Sequence, residues 1–162
     1  MIRVTCSVTE LEEDGEIIAV GDRIERLAEK ATWQYYGNEL DEICWHFDQY
    51  APLRSASPWS ILGTVASISA VYVRLALTGA REQILRPEPG SAHLEEALTT
   101  RNTRNPQREH EQRELAKHDP PAGATGWYGP DTLQAHEGDE NLTGWIITLV
   151  DERVQPADPW VL

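Results

Sequence analysis

The chain has 162 residues and a formal net charge of −13, the size of one domain with enough length to bury a core. Apolar residues make up 40% and charged residues 25%, a balance that argues against disorder along the whole chain. The acid excess opposes sequence-independent binding to nucleic acid and to an anionic membrane surface, both of which need cations, and leaves room for a basic partner, a divalent metal or plain solubility.

In chain order, Ile2, Val4, Cys6 and Val8 alternate with Arg3, Thr5, Ser7 and Thr9, the period of a half-buried strand. The acidic run from Glu10 ends in Asp14-Gly15, the dipeptide a two-residue hairpin turn prefers. A returning strand is therefore expected over 16–20. Asp22 suits a helix N-cap, and Ile24, Leu27, Ala28, Ala31 and Tyr35 follow at helical spacing. This predicts a helix over 22–36. Gly37 would end it, and Leu40, Ile43, Cys44 and Phe47 predict a second helix over 38–50, so the two form an αα-hairpin.

Ser57-Pro58 reads as a helix start, and Trp59 to Leu77 is apolar or small on nearly every side except at Arg74. Such a segment is a central core helix or a membrane span. Its Ser, Thr, Gly and Arg content favours the core helix over 58–80. After Arg86-Pro87-Glu88-Pro89-Gly90, a short helix is expected over 91–100 with Leu94 and Leu98 pointing inward. Asn105-Pro106 begins a polar, exposed helix over 105–118, and 119–126 is a Pro/Gly linker. Trp145 to Asp151 is apolar at both parities, the mark of a central strand buried on both faces. Its expected partner is the N-terminal hairpin.

Three constellations could carry function. Glu10, Glu12, Glu13, Asp14 and Glu16 form an acidic face around the expected hairpin turn. They lack the spacing of a calcium loop, so a solvated turn is the structural alternative. His110, Glu114 and His118 share one face of the polar helix, and His and Glu at one-turn spacing can hold Zn²⁺. A solvated helix with pairs along its side is the plainer explanation. Six Trp stand against one Phe. Trp33 and Trp45 lie off their helical stripes and Trp160 follows Pro156 and Pro159, so each is either an interface anchor or a cover for the core.

No glycine-rich phosphate loop, nucleophile elbow or Cys-x-x-Cys pair occurs in the sequence. No secretory segment is visible, and a cytoplasmic location, or a virion if the protein is viral, is expected. The acids concentrate in 1–50 and 119–162, while 51–118, with Arg101, Arg104 and Arg108, is close to neutral. These features predict a single α+β domain over 1–162. A small, mostly antiparallel sheet from the N-terminal hairpin and the C-terminal strand would pack on a bundle of three or more helices. The expected function is a non-catalytic assembly or adaptor protein, of the kind built into viral or phage-type particles. It would act on a protein partner or on further copies of itself, with no cofactor, no direct nucleic-acid contact and no membrane span. An acidic inhibitor that blocks a basic enzyme site is the first alternative, and a small metal-dependent enzyme the second.

Overall fold

A computed structural model describes residues 1–31, 43, 45–51, 58–78, 84–117 and 136–157. These are mostly strand: β1 (Ile2–Ser7), β2 (Arg23–Lys30), β3 (Trp45–Phe47), β4 (Trp59–Thr78), β5 (Ile84–Pro87), β6 (His93–Ala97) and β7 (Glu140–Pro156). Two short helices accompany them, α1 (Val8–Asp14) and α2 (Pro106–Leu115). The expected α+β architecture is thus overturned. Among the described residues there is no bundle of three or more helices.

The strands close on themselves. β1 lies between β3 and β7, β7 pairs β4, β4 pairs β2, and β2 returns to β3. All of these pairs are antiparallel except β1 with β3. Five strands thus form a closed ring with one parallel pair. Closure removes the open edges that a free sheet would expose. The long strands β4 and β7 pair from Trp59↔Pro156 to Arg74↔Glu140, so both run past the ring. Beyond it, the free side of β4 takes β6 at Ile68–Tyr72 and β5 at Leu75–Thr78.

The core fills the ring. Val4 and Cys6 of β1, Ala28 of β2, Phe47 of β3, Ile61 and Ile68 of β4, and Ile147 and Leu149 of β7 are all buried. The inward positions read from β1 therefore hold for Val4 and Cys6, although Thr5 on the opposite face is buried too and Val8 begins α1; the two-sided burial of β7 also holds. Trp145, Ile147 and Leu149 face the barrel, while Ile146 packs with Val71 and Ile43 in a second cluster on the other side. β1 and β7 are also partners, with Val4 opposite Ile147.

The segment expected as a helix over 58–80 is β4. Ile61 and Val65 face the core at odd positions, and Ile68, Ala70 and Tyr72 at even ones. The register shifts between Val65 and Ser67, where a bulge changes the inward parity. No single period-2 pattern survives such a shift, and burial on both sides makes the strand look apolar all round. With the segment a strand, its reading as a membrane-spanning helix falls too. Among the described residues no helix is long and apolar enough to cross a membrane.

The helix expected over 22–36 is β2 as far as Lys30. Asp22 accepts a hydrogen bond from the Ala19 amide at 2.7 Å in a turn, and its carbonyl accepts from Val65 N at 2.8 Å. Pairing with β4 and β3 outweighs the helical stripe from Ile24 to Tyr35. Within 38–50, Trp45–Phe47 is a strand, and residues 32–42 and 44 lie outside the described residues. The helix expected over 91–100 is β6.

The hairpin at Asp14-Gly15 is also corrected. Ser7 caps α1, its Oγ accepting from Glu10 N at 3.1 Å, and Gly15 ends the helix with φ +64°. Such a left-handed conformation is the glycine stop of a helix. The expected return strand is reduced to one bridge, Ala19↔Thr99. The polar helix stands where Asn105-Pro106 predicts a helix start, as α2, and the expected linker at 119–126 lies outside the described residues.

Candidate functional site

Residues 93–108 link β6 to α2 and border three surface features. The first is a polar network over the extension of β4 and β7. The Tyr72 side chain is fully buried between His93, stacked on it at 5.2 Å between centroids, and Arg104, whose guanidinium carbon lies 4.6 Å from the ring centre. The Tyr72 hydroxyl donates to the Arg104 carbonyl at 2.7 Å. Arg104 donates through Nη1 to Glu140 at 2.6 Å and through Nη2 to Glu95 at 3.1 Å. His93 Nε2 approaches the same two carboxylates, at 3.3 Å from Glu140 and 3.5 Å from Glu95.

Burial, with Glu95 as the next cause, pushes the Tyr72 phenol above its ordinary range. The hydrogen bond to Glu140 raises the Arg104 guanidinium further. With the carboxylates already spanned by a guanidinium that stays protonated, this cluster works as a clamp. Among the described residues no group of three or more His, Cys, Asp or Glu could hold a metal ion.

The second feature is a half-open cavity of about 170 Å³ between α1, the 100–108 segment and the start of β7. Leu11, Leu142 and Trp145, all buried, form its floor with Val8. The Trp145 indole donates to Thr103 Oγ1 at 2.9 Å, which fixes the ring. Arg101, Asn105 and Arg108 stand at its mouth. Arg108 pairs with Glu12.

The third is an apolar strip beside β6. Leu98 is 80% exposed, and Leu94 and Val20 are exposed to about half that degree. Val20 N donates to the Leu98 carbonyl at 2.9 Å, which sets these two side by side. Glu96 lies between Leu94 and Leu98 in sequence and is exposed. The sequence reading placed Leu94 and Leu98 inward, and the strand turns them outward.

The acidic face is dispersed. Glu10 is 7% exposed and accepts from Gln49 N at 2.5 Å. Glu12 reaches α2 through Arg108, and Glu16 reaches β2 through Arg26, itself mostly buried over the Phe47 ring. Glu13 and Asp14 belong to α1, and their side chains lie outside the described residues. The acids whose side chains are described therefore tie α1 to two neighbours, and the turn after it to a third. Of the Trp set, Trp45 is half-buried in β3 and meets Trp59 edge-on at 5.5 Å. Trp33 and Trp160 lie outside the described residues. His110 is half-buried on α2; the side chain of Glu114, and His118, lie outside the described residues.

Sequence reasoning missed Tyr72, His93, Arg104 and Glu140. They come from four separate stretches of chain and share no spacing. One signal was legible: Ser7-x-x-Glu10 with Gly15 is a helix start and stop, and it would have placed Glu12 on a helix. Comparison with protein-family models, with curated proteins and with solved structures finds no match for this chain.

Proposed function

We propose that this chain is a non-catalytic adaptor or assembly protein that takes an extended, basic segment of a partner protein along the outer edge of β6. The observation that carries the reading is Leu98, a large apolar side chain held almost fully in water beside Val20 and Leu94. Single exposed apolar residues are ordinary, but a strip along a strand edge marks a contact surface. Among the described residues β6 pairs as a strand with β4 alone, and the chain after it is bridged at Ala19↔Thr99, so the edge offered for strand addition is that of His93–Ala97.

Charge selects the partner. Glu96 between the two leucines, and a net charge of −13, favour Lys or Arg on the added strand and disfavour a second copy, whose glutamates would face these. The barrel type by itself carries no function, and the acid excess opposes phosphate ligands. Of the two other readings, the acidic inhibitor loses support because Glu10, Glu12 and Glu16 already serve internal contacts. A viral or phage-type particle, or the cytoplasm, is the setting this proposal carries with it.

The test is titration with a synthetic peptide of alternating Lys and Val, followed by amide NMR and light scattering. Shifts centred on β6 that disappear in Leu98→Glu support the reading. Unshifted β6 amides overturn it. A salt-resistant oligomer abolished by Leu98→Glu would instead place another copy on this edge.

A further inference from the structure

We propose that the cavity over Trp145 is a binding site for a small carboxylic acid with a compact apolar body. Its dimensions, its floor and its unused hydrogen-bonding groups agree on this class of ligand.

The cavity holds about 170 Å³. A buried apolar cavity of roughly 150 Å³ is enough to admit benzene, so the room suits one small ring or branched chain. The floor gives such a body its contacts. Leu11, Leu142 and Trp145 are each at most 6% exposed, and the indole is locked by its bond to Thr103. Thr103 Oγ1 in turn donates to the Thr99 carbonyl at 3.3 Å. The floor is thus rigid before any ligand arrives, which lowers the entropy that binding must overcome.

The mouth offers hydrogen-bond donors that the fold leaves open. The charges of the carboxylates that line the cavity are paired, Glu12 through Oε1 with Arg108 and Glu16 through Oε2 with Arg26. Thr100 Oγ1 accepts from Ile18 N. Asn105 Oδ1 accepts from Arg108 N at 3.1 Å, and its Nδ2 has no partner among the described residues. The Arg101 guanidinium likewise has no ion-pair partner among them, although its backbone N donates to Thr99 Oγ1. Two donors therefore remain open at the mouth, one of them permanently charged. A carboxylate accepts from both, and a guanidinium grips it through two parallel bonds. A cation would meet Arg101 and two carboxylates already in use.

Strand addition at β6 uses the Leu94–Leu98 strip, whereas this cavity is built by α1, the 100–108 segment and β7. Neither proposal rests on the other.

The experiment is NMR titration of the full chain with sodium benzoate, with benzamide as the neutral isostere, read at the indole and backbone amides. Benzoate is expected to shift the Trp145 indole and the amides of Thr103 and Leu142. Benzamide should bind about tenfold or more weakly, and Arg101→Gln should reduce benzoate affinity by about the same factor while leaving the free spectrum otherwise unchanged. Raising salt should weaken benzoate and leave benzamide unaffected. The proposal is overturned if benzoate at about 10 mM leaves the Trp145 indole in place. It is equally overturned if benzoate and benzamide bind alike, or if Arg101→Gln binds benzoate as the parent does.

Discussion

The barrel and the extension beyond it are held together by different physics. In the barrel, backbone pairing closes a ring and the side chains inside are apolar and fully buried. In the extension, β5 and β6 each join β4 alone among the described residues. There β4 and β7 stay paired as far as Arg74↔Glu140, and β6 is tied across to β7 by the Tyr72, His93 and Arg104 stack with its two glutamates. Dispersion and the hydrophobic effect reward closure of the first region from all sides. In the second, β6 adds few buried side chains, and its ion pairs are partly exposed and weakened by solvent. Regions of few buried apolar contacts open locally before the whole molecule does, and here that region carries the cavity mouth and the apolar strip. Native-state hydrogen exchange is the direct measure of the contrast. The amides of β1 and the middle of β7 should exchange only through global unfolding, and those of β6 and α2 well before it.

Variants can sharpen or break this contrast. The largest effect is expected at Gly144, where a Cβ would lie 2.2 Å from the Cys6 carbonyl oxygen on the paired strand. The three nearest atoms, from Cys6 and Ser7, are all backbone of β1, so Gly144→Ala must pry β1 from β7. It should cost about 4 kcal/mol or more in urea unfolding, or prevent folding. A loss below roughly 1 kcal/mol would mean that the ring is not closed as tightly as the β1–β7 register requires. Ile147→Ala, inside the barrel and fully buried, should cost about 2–5 kcal/mol through lost transfer energy and the cavity left behind.

In the extension the numbers should fall. Arg104→Ala removes two ion pairs and one ring contact, all on a side chain 40% exposed, and about 1 kcal/mol of global stability is expected. Its clearer signature is faster exchange confined to β6 and the following turn. A global loss equal to that of Ile147→Ala would erase the distinction between the two regions.

Titration offers a finer probe. The Tyr72 phenol is raised above its ordinary value of 10.0, chiefly by burial. The folded chain then holds that proton more tightly than the unfolded one, so the stabilisation is complete below about pH 10 and is lost as pH rises through the higher folded value. The urea midpoint should decline in that window, and Tyr72→Phe should remove the part of the decline owed to this group. The smallest effect belongs to Glu152, whose carboxyl is held below its ordinary range by the hydrogen bond from the Met1 ammonium. Its contribution is present above the ordinary carboxylate value and fades as pH falls through the lowered one. Acetylating the N-terminus should move the Glu152 titration upward in NMR and barely alter the unfolding midpoint.

The two regions also differ in how far the sequence announces them. Period-2 alternation over Ile2–Val8 and apolar residues at both parities over Trp145–Val150 were sufficient to predict β1, the central place of β7 and their pairing. Helix α2 was signalled by Asn105-Pro106. These features depend on a few adjacent residues, and local patterning reports them faithfully. Beyond that the helical reading misled: Leu94 and Leu98, four apart, share one side of a strand as well as of a helix, and the stripe of Ile24, Leu27, Ala28, Ala31 and Tyr35 was overridden where Arg23–Lys30 pairs with β4 and β3.

Only the tertiary structure decided that β4 is a strand, since its inward parity changes at a bulge and both its faces are covered. It alone decided that Leu98 points to water, that Glu10, Glu12 and Glu16 are internal ties, and that Tyr72, His93, Arg104 and Glu140 meet. The sequence by itself determined the charge, the absence of local catalytic motifs and the two strands at the heart of the barrel. A local pattern encodes which face of an element is apolar, but the ring fixes which elements lie opposite one another, and every candidate site here is made of residues that only that closure brings together.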